Sequence, residues 1–119
     1  MQYLLLIYEN EAAGQQRSEA EQATYIADFR TFTADIIAGG SFKGGEALTP
    51  VSTAKSVRVR NGERLVTDGP FAETREQLGG FYLVDVDTEE EAVAIAARIP
   101  TSAYGTIEVR PIMVWDQPE

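Results

Sequence analysis

The sequence predicts one α+β domain in which two helices cover one face of a mainly antiparallel sheet. Two observations support this fold class. Apolar, strand-like segments alternate with two helices that carry capping signals, and an Asn-Gly turn joins two further strands. The length of 119 residues suits a single domain over 1–119.

The first strand and helix give the clearest local signals. Residues 3–8 are continuously apolar, which favours a strand buried on both faces at the centre of the sheet. Residues 9–17 are polar and are predicted to form a loop. The capping box of Ser18 and Glu21 begins a helix over about 19–38, which ends at a Gly-Gly pair. Its predicted apolar stripe comprises Ile26, Phe29, Thr33, Ile36 and Ile37, with Tyr25 and Phe32 at the edges.

A glycine-rich segment and a hairpin follow this helix. Residues 41–48 are predicted to be extended. Strict alternation over 55–60 predicts a half-exposed strand, Asn61-Gly62 favours a hairpin turn, and residues 63–67 return as its partner. Residues 68–77 are predicted to form a loop or a short helical turn.

The last third of the chain repeats the strand–helix–strand order. Residues 80–86 predict a strongly buried strand. Thr88 and Glu91 form a second capping signal for a helix over about 89–98, which Pro100 stops. Residues 106–114 predict the last strand, and the proline within it favours an edge position or a bulge.

The resulting order is the split β-α-β pattern of ferredoxin-like folds with an inserted β-hairpin, a two-layer sandwich. The helices can cover only one face of the sheet. Tyr3, Tyr8, Tyr82 and Trp115 supply more large rings than one layer of helices can bury. We therefore expect a homodimer that packs sheet against sheet.

Composition excludes several kinds of chemistry. The chain has no Cys and no His, so it contains no disulfide, thiolate nucleophile, zinc finger or His-ligated metal. Any acid–base chemistry must use Asp, Glu, Tyr, Lys or a cofactor. No phosphate-binding glycine motif or calcium-loop spacing is present, so we predict no cofactor and no metal.

The chain is acidic, and its charge is unevenly distributed. The net charge is −9; residues 1–60 hold six basic and seven acidic residues, and residues 61–119 hold four and twelve. An acidic surface repels phosphate backbones, so direct nucleic-acid binding is not expected. No apolar stretch approaches a membrane helix, and the N-terminus lacks the basic start of a signal peptide. Together with the absence of Cys, this favours a cytoplasmic location.

The most distinctive segment starts at Asp68-Gly69-Pro70-Phe71. One interpretation is structural, with Asp68 capping a short helical turn that anchors Phe71 in the core. The other is functional, with Asp68 facing a pocket as a general base.

Three other polar residues are candidates for binding a ligand. Arg58 shares one strand face with Arg60 and, together with Arg64 on the partner strand, could form an anion site; the alternative is a solvated hairpin face. Glu46 follows two glycines, and we expect it beside the first strand, either paired with an arginine or functional. Tyr82 could present its phenol to a pocket, although such rings usually lie in cores or interfaces.

Several segments of the sequence resemble those of a known family. Asp68-Gly69-Pro70-Phe71, followed by residues 72–76 and by Gly79-Gly80-Phe81-Tyr82, is similar to the signature of the YCII-related, DGPF-domain proteins. The resemblance implies a dimeric α+β barrel and covers about residues 1–114. It implies relatives that include muconolactone-isomerase-like proteins and a chloromuconate-type lyase. The wider family is thought to use a His–Asp pair, but because this chain has no His, only the aspartate half could remain, as Asp68.

The sequence therefore leaves two alternative functions. The first is a small-molecule-binding dimer with isomerase- or lyase-like activity, in which Asp68 is the candidate base and Glu46, Arg58 and Tyr82 bind the ligand. The alternative is a non-enzymatic regulatory or interaction module, because some family members occur alongside extracytoplasmic-function sigma factors.

Overall fold

The first strand lies at the centre of a four-stranded antiparallel sheet. In the computed structural model, which describes residues 1–115, β1 (Gln2–Glu9) pairs with β5 (Gln77–Asp85) on one side and with β6 (Thr106–Pro111) on the other. The edge strand β2 (Phe42–Ala47) pairs with β5 and completes the order β2-β5-β1-β6. The predicted central first strand and the edge position of the proline-containing strand are confirmed.

Three α-helices accompany the sheet within residues 1–115, one more than predicted. The short α1 (Glu11–Gly14) forms inside the predicted loop 9–17, because Asn10 Oδ1 accepts a hydrogen bond from the backbone N–H of Ala13 at 2.9 Å. The predicted α2 (Glu19–Ala38) begins at a complete capping box, with Ser18 and Glu21 bonded reciprocally at 3.1 Å.

The second predicted helix, α3 (Glu89–Arg98), is also confirmed. Thr88 Oγ1 accepts from the N–H of Glu91 at 3.2 Å, and three glutamates occupy the first turn, where the helix dipole favours negative charge. Among the described residues, no helix is both long and apolar enough to cross a membrane.

The hydrophobic core lies between the helices and one face of the sheet. Alternate residues of β1 and β5 point toward the helices, because side chains alternate between the two faces of a strand. Leu5, Val84 and Ile99 are almost fully buried there, and Phe32 and Ile36 of α2 pack on them. The core residues contributed by the sheet are Tyr3, Leu5, Ile7, Tyr82 and Val84.

The aromatic residues that motivated the dimer do not all face the same way. Tyr3 and Tyr82 are buried beneath the helices, so those two rings need no second sheet. Tyr8 is half-buried on the opposite face of the sheet, and Trp115 is exposed. One layer of helices therefore covers two of the four rings and does not bury them all, as predicted.

The predicted apolar stripe of α2 is displaced from the observed one. Phe32 and Ile36 are buried, whereas Ile26 and Ile37 are exposed. One side of the helix stands away from the sheet, and a cleft lies between them. Apolar residues that the helical period assigns to the core therefore lie on the wall of this cleft instead.

The hairpin forms a separate two-stranded sheet, which we call the arm (residues 55–68). It consists of β3 (Lys55–Arg60) and β4 (Glu63–Asp68). Asn61 and Gly62 both adopt positive φ, 52° and 78°, as a tight hairpin turn requires. The radius of gyration of 16.7 Å exceeds the roughly 13.5 Å typical of a compact chain of this length, because the arm extends outward.

The segment after the arm is a loop, which is one of the two forms predicted for residues 68–77. Residues 69–76 contain no helical turn. Phe71 is 82% exposed, so the expectation that this turn anchors Phe71 in the core is wrong. The strand order, the helices and the arm together agree with an α+β, ferredoxin-like fold carrying an inserted hairpin.

Candidate functional site

An open cleft of about 1180 Å³ lies between α2 and the sheet. Its sheet side is formed by β1, β5 and the edge strand β2, and α1 closes one end. The volume is somewhat larger than the roughly 300–1,000 Å³ that is common for small-molecule sites, as expected for an open cleft. This cleft is therefore the candidate functional site.

The walls of the cleft are largely apolar. Ile26, Phe29 and Ile37 line it from the helix, while Ile7 and Phe42 line it from the sheet. A concave apolar surface of this kind favours a ligand with an apolar body, because transfer of that body from water is favourable.

Glycine lets the edge strand approach the ring of Tyr82. A Cβ atom on Gly45 would lie 2.8 Å from Cδ1 of Tyr82 and 2.9 Å from the backbone oxygen of Phe81. Only glycine fits at such a distance. The glycine-rich segment 41–48 thus sets the width of the cleft at its β2 side.

A charged pair occupies the end of the cleft beside α1. Arg17 Nη2 lies 2.9 Å from Glu9 Oε2, and the two side chains are only 17% and 18% exposed. Glu9 reaches this place because it continues the alternation of the buried residues of β1, two positions after Ile7. Arg17 reaches it because it directly precedes the cap of α2.

Two tyrosines hold the guanidinium of Arg17. Its carbon lies 4.0 Å from the centroid of the Tyr25 ring and 5.3 Å from that of Tyr104, and Nη2 also donates to the Tyr104 hydroxyl at 2.9 Å. Such contacts are favourable between a cation and an aromatic face. Arg17 is therefore fixed between α2 and the segment before β6.

The electrostatics of this end keep Tyr25 neutral. Burial raises the pKa of Tyr25 to about 12, and the nearby charge of Glu9 acts in the same direction. Burial opposes the charge of Arg17, but the hydrogen bond and the charge of Glu9 outweigh it, so the pKa of Arg17 is raised. At neutral pH, the cleft thus presents a phenol, a carboxylate and a guanidinium.

Two of the four predicted site residues border the cleft. Tyr82 lines its floor, where its hydroxyl lies 2.6 Å from Thr33 Oγ1 of α2. Glu46 lies on the exposed edge strand, with Phe81 of β5 as its cross-strand neighbour. The expectation that Glu46 lies beside the first strand is wrong, because β5 separates β2 from β1. Among residues 1–115, no basic group pairs with Glu46.

The other two predicted residues lie on the arm, away from the lining of the cleft. Asp68 is 85% exposed and forms an ion pair with Lys55. Arg58 faces the same side of the arm as Arg60, but Arg64 pairs with Val59 and lies on the opposite side. The three arginines therefore do not form the common anion site that the sequence suggested. The proposed roles of Asp68 and Arg58 stay predictions.

The comparison with known families agrees with these structural observations. A sequence model of the YCII-related domain matches residues 1–116. The chain belongs to the YCII-related family. A similar protein, an uncharacterized protein of Rhizobium meliloti (strain 1021), is 33% identical over 117 residues, which are 97% of this chain and 94% of that protein. The family resemblance predicted from the sequence is confirmed.

Sequence reasoning did not select the polar residues at the α1 end of the cleft as site residues. The sequence places Glu9 and Arg17 in a predicted loop and Tyr25 at the edge of the apolar stripe of a helix. One signal was available for Glu9, because the alternation Tyr3, Leu5, Ile7 places the next member of the series on the same buried face. Among residues 1–115, no three carboxylates are grouped closely enough to hold a metal ion.

Proposed function

We propose that this YCII-related protein is a homodimer that binds a small molecule in the cleft between α2 and the sheet. The observation that carries the binding proposal is the cleft itself, with apolar walls and a polar end formed by Glu9, Arg17 and Tyr25. Ligand sites in proteins commonly combine these two properties.

A blocking substitution tests whether ligands bind in this cleft. Ala34 is an exposed residue of α2 that lines the cleft, so Ala34→Trp should fill part of it. A fragment library screened by protein-observed NMR should give hits whose affinity falls at least about tenfold in A34W. Ala94→Trp, at an exposed position on α3, is the matched control and should bind like the wild type. Equal binding by A34W and wild type would reject the cleft as the site.

The surface area of the single chain supports the dimer. Its accessible surface is 8648 Å², whereas a folded monomer of this mass exposes roughly 6,300 Å². The excess is comparable to the surface that one partner buries in an obligate homodimer, about 1,000–2,500 Å².

Charge and apolar surface also support association with a second copy. Four basic and two acidic residues give the arm a net charge of +2, so the rest of the chain carries −11. Val57, Val59 and Val66 share one face of the arm and are exposed. An arm of this composition is complementary to the acidic body of a partner chain.

The oligomeric state can be measured directly. Sedimentation velocity should give twice the chain mass of 13.0 kDa for the wild type. Leu6→Glu changes the sheet face opposite to the helices and should shift the protein toward the monomer, whereas Ala94→Glu on α3 should not. A wild type that sediments at 13.0 kDa across micromolar concentrations would refute the homodimer.

The proposed isomerase- or lyase-like activity depends on which carboxylate acts as base. Within one chain, Glu9 lines the cleft, whereas Asp68 lies on the exposed arm. Asp68 would act as a base if the arm of one protomer brings it to the cleft of its partner. Mixed dimers of Asp68→Asn with a cleft-blocked A34W chain test this. An intersubunit site leaves one cleft open and supplied with Asp68, whereas a site within one chain leaves no such cleft.

The regulatory alternative also has one supporting observation, the exposed arm. A wild-type monomer with a fully exposed arm would favour an interaction module that binds a different protein. A stable homodimer with ligand-dependent shifts in the cleft would favour the small-molecule function.

A further inference from the structure

Glu9 and Arg17 at the α1 end of the cleft balance each other's charge. Both hydrogen-bonding contacts of Arg17 Nη2 are used, one by Glu9 Oε2 and the other by the hydroxyl of Tyr104, each at 2.9 Å. The guanidinium and the carboxylate are both largely removed from solvent. The Glu9–Arg17 pair itself carries no net charge, and the carboxylates of Glu11 and Glu19 also line the cleft.

Two groups at this end are only weakly engaged. The Tyr25 hydroxyl lies 3.5 Å from Glu9 Oε1 and 3.3 Å from Thr101 Oγ1. Hydrogen bonds between oxygens are normally about 2.7–2.8 Å long, so both contacts are weak. Glu9 Oε1 can therefore accept a stronger hydrogen bond, and the Tyr25 hydroxyl can donate one.

We propose that Glu9 and Tyr25 recognise the hydroxyl group of an uncharged aromatic alcohol whose ring system lies against the apolar walls of the cleft. The ligand hydroxyl donates to Glu9 Oε1 and accepts from the Tyr25 hydroxyl. Arg17 fixes the position of the Glu9 carboxylate and balances its negative charge. This inference rests on the proposed function and assigns a ligand class to the same cleft.

Charged ligands fit this end less well. A carboxylate placed beside Glu9 Oε1 meets a like charge in a partly dry environment. An ammonium group placed there is attracted by Glu9 but repelled by Arg17, which leaves little net gain to offset its own desolvation. Breaking the Glu9–Arg17 pair to accommodate either ligand leaves a poorly solvated charge without its partner. A neutral hydroxyl incurs neither penalty.

The aromatic preference comes from the wall next to Glu9. The rings of Tyr25 and Phe29 lie 4.9 Å apart at a 58° tilt, and both line the cleft. Offset or tilted arrangements are favourable for aromatic pairs, so a ligand ring extends an existing cluster.

Four probes with the same ring test the proposal in the wild-type protein at neutral pH. They are β-naphthol, its methyl ether, β-naphthoate and β-naphthylmethylammonium. The dissociation constants are measured by protein-observed NMR, and nuclear Overhauser contacts to the rings of Tyr25 and Phe29 locate the ligand. We expect naphthol to bind about tenfold more tightly than the ether, which cannot donate to Glu9, and about tenfold more tightly than either ion.

A matched pair of substitutions tests the role of Glu9. Glu9→Gln replaces the charged acceptor with a neutral one, and charge-assisted hydrogen bonds are about twice as strong as neutral ones. The preference for naphthol over its ether should fall to about threefold or less in E9Q and stay near tenfold in Glu90→Gln, at an exposed position on α3 away from the cleft. The wild-type series remains decisive if E9Q does not fold.

The outcomes separate this inference from the proposed function. Binding in the cleft with naphthoate, the ammonium or the ether as the tightest ligand overturns the hydroxyl assignment and leaves small-molecule binding intact. Failure of all four probes to bind in the cleft overturns the inference and also counts against the cleft as a binding site.

Discussion

Replacing Arg17 with methionine should destabilise the protein through the loss of one ion pair. The substitution keeps an apolar side chain between Tyr25 and Tyr104 but leaves Glu9 without its cation. Exposed pairs contribute about 0.2–1 kcal/mol, and breaking a buried pair costs roughly 3–5 kcal/mol. Because the two side chains are 17% and 18% exposed, an intermediate cost of about 2 kcal/mol is expected.

This loss converts to a measurable melting shift. For a chain of 119 residues, about 1 kcal/mol changes Tm by roughly 4 °C, so R17M should melt about 8 °C lower than the wild type. Urea unfolding at one fixed protein concentration gives the same difference as a free energy and avoids the concentration dependence of a dimer.

A double-mutant cycle isolates the pair itself. Glu9→Gln, Arg17→Met and the double substitution should show a coupling of about 1–2 kcal/mol, because each single change leaves a charged partner behind. The control is Arg98→Met, whose pair with Asp35 at 3.4 Å is 53% and 58% exposed and should contribute less than about 0.5 kcal/mol. If R17M and R98M cost the same, or if the cycle is additive, the described ion pair does not stabilise the cleft.

Three further predictions address the cleft and the arm. Folding stability should fall as the pH rises from 10 toward 12, because the pKa of Tyr25 is raised in the folded state and the unfolded phenol loses its proton first. Tyr25→Phe should flatten this part of the profile of stability against pH, measured by urea unfolding. An unchanged slope would contradict the assignment. Gly45→Ala should lower the free energy of unfolding by about 1–3 kcal/mol in thermal unfolding, because its Cβ would meet Tyr82 at 2.8 Å. Gly44→Ala is the control and should not lose stability through such a clash, because nothing lies within 4 Å of a Cβ atom at Gly44. Asp68→Asn should change stability by less than about 0.5 kcal/mol, since its ion pair with Lys55 is exposed; a larger loss would indicate that the arm is docked in solution.

Most of the secondary structure could be predicted because its signals are local. The capping box at Ser18 and Glu21, the Asn61-Gly62 turn and the apolar run of β1 each depend on neighbouring residues. α1 was missed because a one-turn helix has too few residues to show a hydrophobic period, and a single cap at Asn10 decides it.

The candidate site was harder to predict than the fold. Tyr82 was found because it belongs to a strongly apolar strand, and Glu46 because it follows two glycines. Their predicted companions Asp68 and Arg58 lie on the arm, since sequence position does not reveal that the hairpin extends away from the sheet.

The sequence by itself determined the family, the order of helices and strands, and the absence of cysteine and histidine chemistry. Only the tertiary structure decided that Glu9, Arg17 and Tyr25 meet at one end of a cleft and that Ile26 and Ile37 line its wall. Local patterns fix which face of a strand or helix a side chain occupies. The distance between two such faces depends on how α2 packs across the sheet, and no short stretch of sequence encodes that distance.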